Sequence, residues 1–346
     1  MRILVASWYV VPGCSGGWTT VMDLLLPRHQ AAFVGASARP GEGLCEGIPV
    51  RGLSWPANAA DGWPLANRIR KRLFDRFLAQ SVRRAFESFR ADIVLCLDER
   101  MASASHGAGL PFAMRLHSHP GLLPVDEYDE LVTSALFVTG SQPDIRGAVF
   151  LPHSVDLSRF EYAEPPSARS VIMTSSLVEA ENPAIFVKGT AASGLRGTLV
   201  GHGPLRAEME RLCAGTAGRV DFCGPVGRAA LPSLLSAHQI GVACLQKGWH
   251  TTYQMKVTEY QAAGLFPLVQ PWSELSRLAP RLTRTFEDAD GLAEQISWLA
   301  SHWADTLELR RANRAFAFER YSIEAAREQF DEILRSSITR PARPTS

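Results

Sequence analysis

The sequence of 346 residues has almost no net charge, no long apolar run and few lysines. The formal net charge is +1 at pH 7, so the composition gives no indication of nucleic-acid binding. No apolar run reaches the length of a bilayer-spanning helix, and the apolar start of the chain is too short for a secretory signal. We therefore expect a cytoplasmic protein.

Paired cysteine motifs are also missing. None of the 6 cysteines belongs to a C-x-x-C pair, and several lie inside apolar, strand-like runs, which is typical of free thiols in a reducing compartment. The basic residues are nearly all arginine, as expected of a GC-rich, bacterial genome. Lysine occurs only at Lys71, Lys188, Lys247 and Lys256.

Short apolar runs alternate with helix-compatible segments along most of the chain, and the loose polar stretch 161–169 separates two such series. Strands are predicted at 2–7, 31–36, 48–53, 92–97, 111–116, 135–139 and 148–151, and then at 171–174, 197–201, 220–223, 240–245 and 266–269. Helices are predicted between the later strands, with an amphipathic last helix at 323–336. This alternation predicts an α/β chain of two doubly wound parallel sheets, with domains at 1–160 and 161–320.

Two candidate sites lie in the first domain. The loop Ser15-Gly16-Gly17 follows the first strand, and such a loop lets backbone N–H groups approach a phosphate or sugar, although an ordinary tight turn is the alternative. His117 follows the strand 111–116, at the end where open α/β sheets bind ligands. His119 lies on the same side, but no third ligand of compatible spacing is visible, so we predict no metal site.

The segment 67–90 is the most basic part of the chain, and its apolar residues recur at helical spacing. A basic amphipathic helix can lie on an anionic membrane, so peripheral membrane contact stays open. More often such a helix packs one face on its own sheet and leaves the charged face in water.

The stretch 251–270 combines a polar loop, a helix-compatible run at 255–263 and an apolar strand. The first N–H groups of a helix lack internal partners and carry the positive end of its dipole, so a loop that leads into a helix can bind an anion. Lys256 and Glu259 lie a turn apart in this run. The alternative is an ordinary solvent-exposed ion pair.

Six segments together resemble the motifs of one enzyme family. They are the Ser15-Gly16-Gly17 loop, His117 after PFAMRL, LPHSVDLSRF, LVGHGP, VDFCGPV and KVTEYQAAGLFPLV. The chain resembles the GT-B glycosyltransferases, close to glycosyltransferase family 4, the retaining type that uses nucleotide-sugar donors. The resemblance implies two Rossmann-like domains facing a cleft, an acceptor-side N-terminal domain, a C-terminal donor domain, a helix at 321–338 crossing back to the N-terminal domain, and a disordered tail at 339–346.

The resemblance also implies roles for individual residues. Glu259 would hold the ribose hydroxyls, and Lys256 with the start of its helix would face the diphosphate. His117, Gly16 and Gly17 would lie near the transferred sugar. The other residues implied in donor binding are Gly203, Phe222, Gly224, Lys247, Thr251, Thr252, Ser175 and Ser176.

The chain departs from the family pattern where two cations usually contact the diphosphate. Ser175 or Ser176 stands in place of an arginine, and Glu181 stands in place of a lysine. Loss of both charges beside a diphosphate is unfavourable in a dry cleft. Lys247 is the first choice as a substitute, with Lys188 and Lys256 as the others.

The sequence therefore predicts a retaining glycosyltransferase that needs no metal or other cofactor. It would move a sugar from a nucleotide-diphosphate sugar to a hydroxyl of a small molecule or glycan, in natural-product or glycoconjugate biosynthesis. Because of the missing cations, two alternatives stay open: an enzyme for another donor class, such as a pseudo-glycosyltransferase, and a non-catalytic GT-B protein that binds carbohydrate or a partner.

Overall fold

A computed structural model describes most of the chain and divides it into two units. The described residues are 1–8, 21–22, 25, 28–36, 41–45, 47–54, 64–116, 136–139, 149–151, 154–162, 164, 170–227, 229–247 and 254–339. Unit 1 comprises Met1–Pro152 and Ile323–Ser346, and unit 2 comprises His153–Ser322. The structural boundary, between Pro152 and His153, therefore lies before residue 160, the boundary predicted from the sequence.

Unit 1 contains an eight-stranded sheet. Its strands are β1 (Arg2–Ser7), β2 (Gln30–Ala36), β3 (Gly41–Cys45), β4 (Ile48–Leu53), β5 (Ile93–Cys96), β6 (Phe112–Leu116), β7 (Leu136–Thr139) and β8 (Val149–Phe150). The order is β3-β4-β2-β1-β5-β6-β7-β8, and every neighbouring pair is parallel except β3–β4. The sequence does not predict β3, because this exposed edge strand has no apolar run to mark it.

Both faces of the first sheet are covered, which explains why the four residues of β1 from Ile3 to Ala6 are all apolar. Ile3 and Val5 belong to one core, and Leu4 and Ala6 belong to the other. The second core includes side chains of α1 (Pro64–Phe89) and α2 (Glu99–Gly107). The apolar face of the basic helix α1 is thus packed on its own sheet. Within the described residues, no helix has the length and apolarity needed to cross a bilayer.

Unit 2 contains a six-stranded, fully parallel sheet in the order β11-β10-β9-β12-β13-β14. The strands are β9 (Ser170–Ser175), β10 (Arg196–Gly201), β11 (Val220–Gly224), β12 (Ile240–Ala243), β13 (Phe266–Val269) and β14 (Arg284–Thr285). The helices are α3 (Pro183–Ser193), α4 (Arg206–Ala214), α5 (Leu231–Ser236), α6 (Met255–Ala262), α7 (Glu274–Leu278), α8 (Ala289–Ser301) and α9 (Leu307–Tyr321). The short elements α7 and β14 are absent from the sequence-based prediction.

The last helix, α10 (Ile323–Thr339), belongs to unit 1. Its apolar stripe enters the core on one face of the first sheet through Ile323, Ala326, Phe330, Ile333 and Leu334. Asp331 on the same helix is buried and lies 2.6 Å from His29 Nε2 and 3.3 Å from the Arg28 guanidinium. The tail beyond Thr339 lies outside the described residues.

Candidate functional site

The carboxyl ends of the strands of unit 2 gather the polar residues of the candidate site. β9 lies between β10 and β12, so the strand order reverses at β9. Connections leave such a point on opposite faces of the sheet, and open α/β sheets bind ligands in the crevice that results. The loops after β9 and β12 and the start of α6 all lie at this edge.

Glu181 connects the loop after β9 to α6. Its Oε2 accepts hydrogen bonds from Lys256 Nζ at 2.6 Å, from Ser175 Oγ at 2.7 Å and from the Ser176 backbone N–H at 3.0 Å. The side chains of Lys256 and Glu181 are only 12% and 16% exposed. Burial acts to raise the pKa of Glu181, but the Lys256 ammonium and the two serine donors hold this pKa below its usual value. Glu181 is therefore ionised at neutral pH.

The backbone of this loop is held in an unusual conformation. Leu177 and Asn182 have φ angles of 47° and 36°, in the left-handed region that side chains other than glycine disfavour. Leu177 is fully buried, and its N–H donates to Ser175 Oγ at 3.0 Å. The N–H of Gln246, after β12, donates to the Ala180 carbonyl at 2.7 Å. Strained residues persist only where their surroundings fix them, and these hydrogen bonds are the contacts that hold the loop in this conformation.

Two glycines allow the end of β10 to pass close to the same loop. A Cβ at Gly201 would overlap the Ser175 carbonyl oxygen, and a Cβ at Gly203 would overlap the Ser176 carbonyl oxygen. Only glycine fits at either position. Phe222 and Gly224 lie on β11, the outer strand beyond β10, and Gly224 ends that strand at the same edge of the sheet.

Tyr260 fixes α6 against the point where β9 and β12 separate. The pairing of these strands ends at Ile172 and Gly241, so the Thr174 N–H has no strand partner there. The Tyr260 hydroxyl accepts from that N–H at 2.8 Å and donates to the Val242 carbonyl at 3.3 Å. Tyr260 is fully buried, and a Cβ at Gly241 would overlap its ring. Lys256 lies one turn before Tyr260, so the same anchor positions its ammonium.

The remaining predicted donor residues of unit 2 lie farther along the same loops. Glu259 is half-buried in the second turn of α6, beyond the first N–H groups of the helix. Lys247 is exposed, and its Nζ lies 5.9 Å from the ring centre of Trp272. Lys188 is exposed in the middle of α3. Of the three substitute cations, Lys256 is the one bonded to the loop with Ser175, whereas a role for Lys247 in binding stays a prediction.

Five predicted site residues, Gly16, Gly17, His117, Thr251 and Thr252, lie outside the described residues, and their roles stay predictions. The described part of the chain holds no group of three or more His, Cys, Asp or Glu side chains that could bind a metal ion.

Two buried charged residues at the carboxyl edge of the first sheet are not among the predicted site residues. Asp98 accepts from Ser7 Oγ at 2.8 Å, from the Trp8 N–H at 2.6 Å and from the Met101 N–H at 3.0 Å, and so caps α2. Burial raises the pKa of Asp98 despite these donors. Arg115 lies on β6 with 0% of its surface exposed. A charged residue inside the apolar run PFAMRL is the signal in the sequence that could have indicated it.

Comparison with known proteins connects this fold to glycosyltransferases. Residues 185–332 match the model of a family described as glycosyl transferase-like. No curated protein matches the chain. A glycosyltransferase from Rickettsia africae is 13% identical with a TM-score of 0.76, over 98% of this chain and 99% of the other. Sucrose-phosphate synthase from Thermosynechococcus elongatus is 13% identical with a TM-score of 0.76, over 97% of this chain and 98% of the other.

A third similar structure was solved with a ligand. HepE from Anabaena, in complex with UDP-glucose, is 17% identical to the chain, with a TM-score of 0.72 over 97% of this chain and 100% of the other. At such low identities the similarity concerns the fold. The chain therefore has the α/β fold of the GT-B glycosyltransferases, with two parallel-sheet domains, and α6 with Lys256 lies inside its match to the glycosyl transferase-like family.

Proposed function

We propose that the protein is a retaining, metal-independent glycosyltransferase that moves a sugar from a nucleotide-diphosphate sugar to a hydroxyl acceptor. The observation that carries the proposal is the position of Lys256. Its ammonium lies in the first turn of α6, bonded to Glu181, at the edge of the second sheet where the strand order reverses. The match to the glycosyl transferase-like family and the fold support the same conclusion.

This position suits the departure of a diphosphate. As the bond between the sugar and the phosphate breaks, negative charge develops on the leaving oxygen, and preorganised donors aimed at that charge lower the barrier. Gln254 makes no side-chain cap to α6, and the positive end of the helix dipole lies beside Lys256. The leaving phosphate can take the acceptor's proton on the same face of the sugar, which retains the anomeric configuration without a side-chain nucleophile.

Glu181 does not prevent Lys256 from contacting a phosphate. An ammonium group has three donors, so Lys256 can keep its bond to Glu181 and still donate to a phosphate oxygen. Glu181 fixes the direction of the Lys256 side chain, and it also lowers the positive potential at the site. We infer a well-placed cation whose charge is balanced by Glu181, in place of the two cations usual in the resembled family.

The first donor to test is UDP-glucose. HepE was solved with UDP-glucose. Another similar structure, of a protein from E. coli, is described as bound with UDP-2-fluoro glucose. Glu259 would receive the ribose hydroxyls, and the backbone at Phe222–Gly224 would lie against the base. His117 would contact the transferred sugar.

A second candidate function is favoured by one observation, the ion pair itself. With Ser175 and Ser176 neutral and Lys256 balanced by Glu181, these four residues supply no net positive charge. A non-catalytic carbohydrate-binding protein, or an enzyme whose donor is a phosphorylated sugar without a diphosphate, would need less positive charge at this edge.

Calorimetry with UDP-, GDP-, ADP- and dTDP-sugars tests the proposal. Tight binding of one nucleotide-sugar, with sugar transfer that persists in EDTA and keeps the anomeric configuration, is the expected result. Binding of none of the four would rule out the first candidate and favour the second.

A further inference from the structure

Arg115 is a buried charge with no counter-charge among the described residues. It is the second-to-last residue of β6, a central strand of unit 1 that lies between β5 and β7. No surface of Arg115 is exposed. None of its three guanidinium nitrogens has a hydrogen-bond partner in the part of the chain that the structure describes. Burial lowers the pKa of Arg115 to about 10, which still leaves the group charged at neutral pH.

The position of Arg115 on β6 determines which residues share its face of the sheet. Side chains alternate along β6, so Arg115 projects to the same face of the sheet as Ala113, the face that α10 covers. Among the described residues of α10, Asp331 is the one buried carboxylate, and it pairs with His29 and Arg28 instead. The Arg115 side chain therefore shares its face of the sheet with the apolar core residues of α10, close to the carboxyl edge of the sheet.

An unpaired buried guanidinium destabilises the free protein, because the charge loses its hydration and gains no partner. A buried guanidinium that costs stability and has no partner among the described residues is explained if a ligand supplies the partner. The planar guanidinium fork matches the two oxygens of a phosphate or a carboxylate. The carboxyl edge of a parallel sheet is also where ligands enter.

We propose that Arg115 binds an oxyanion, a phosphate or a carboxylate, carried by a ligand of unit 1. If the proposed transferase function holds, that ligand is the acceptor, which is then an anionic molecule and not a neutral sugar. The oxyanion site itself does not depend on that function, and it can be tested without any donor.

The test compares thermal unfolding of the wild type, Arg115→Met and Arg115→Lys in sodium chloride, sodium phosphate and sodium formate at equal ionic strength. The wild-type melting temperature should rise with phosphate or formate, by about 3 °C at tenfold the dissociation constant. Arg115→Met should melt above the wild type in chloride, because the unpaired charge is gone, and should not respond to either oxyanion. Arg115→Lys should keep a weaker response, and the larger of the two responses identifies phosphate or carboxylate as the group.

Arg310 provides a matched control. It is buried to a similar depth, at 3% exposed, but its guanidinium stacks 4.2 Å from the Trp303 ring centre and its Nε donates to Thr306. Arg310→Met should therefore melt below the wild type and keep the oxyanion response. The proposal is overturned if the wild type shows no rise specific to phosphate or formate, if Arg115→Met responds as the wild type does, or if it melts lower in chloride.

Discussion

The two sheets of this protein differ in how their buried cations are paired. In unit 2, Lys256 is bonded at 2.6 Å to Glu181, which two serine donors also hold. In unit 1, Arg115 is fully buried, and no hydrogen bond to it is found among the described residues. The first cation has its counter-charge in the described structure, whereas the second has none among the described residues and is proposed to receive one from a ligand. A satisfied charge sets geometry before binding, and an unsatisfied one makes stability depend on binding.

The largest expected effect comes from removing the partner of a buried charge in unit 2. Lys256→Met would leave Glu181 mostly buried without its cation, which should cost about 3 kcal/mol of unfolding free energy. Nucleotide-sugar affinity should fall by roughly 100-fold, because the phosphate also loses its ammonium. Denaturant unfolding and calorimetry measure the two losses, and Lys188→Met, at an exposed position on α3, is the control.

The double variant Lys256→Met/Glu181→Gln separates the two effects. It removes both charges, so it should recover most of the lost stability and none of the lost affinity. A double variant as unstable as Lys256→Met would contradict the view that the unpaired carboxylate is the cause.

A second test sharpens the assignment of the donor to unit 2. Glu259→Ala should weaken UDP binding by about 2 kcal/mol, since it would remove the carboxylate proposed to accept the ribose hydroxyls. The wild type should prefer UDP over 2′-deoxy-UDP in calorimetry, and the variant should lose this preference. An equal preference in wild type and variant would remove Glu259 from the ribose site. Glu294→Ala, at an exposed position on α8, controls for loss of a surface carboxylate.

A third test addresses the anchor behind Lys256. Tyr260→Phe keeps the ring volume but leaves the Thr174 N–H without the hydroxyl, which should cost about 1.5 kcal/mol of stability. Because α6 would be less firmly placed, turnover should fall more than donor affinity. Denaturant unfolding and steady-state kinetics check this, and unchanged turnover at reduced stability would limit Tyr260 to a structural role.

The smallest expected effect concerns pH. The pKa of Glu181 is lower in the folded protein than in the unfolded chain, so its contribution to stability is present above the unfolded pKa and is lost as the pH falls through the folded pKa. Wild type and Glu181→Gln should therefore differ by about 1 kcal/mol at neutral pH and converge below about pH 4. Unfolding curves of both proteins across this range measure the convergence. A constant difference would show that ionisation of Glu181 does not stabilise the fold.

Strand positions were predictable because most strands of both sheets are buried on two faces. β1 and β13 read as continuous apolar runs, and the prediction of two parallel sheets is confirmed. The exposed edge strand β3 and the short β14 carry no such run, so local sequence contains no signal for them.

The chemistry of the site was predictable only in part. Lys256 and Ser175 could be selected from motifs, and Glu181 was visible as a departure from them. That Glu181 pairs with Lys256 could not be read from spacing, because 75 positions separate the two residues and the fold alone brings them together. The same holds for Tyr260 and Thr174, which lie 86 positions apart.

The path of α10 has a consequence for synthesis of the chain. The core of unit 1 is incomplete until Phe330 and Leu334 are available, although its strand β1 is made long before these two residues. Unit 2, by contrast, is continuous in sequence from His153 to Ser322. Domains generally fold as they leave the ribosome, so the second unit can complete its fold before the first. A nascent chain stopped at Ser322 would expose apolar residues on one face of its N-terminal sheet, and exposed apolar surface of this kind favours aggregation.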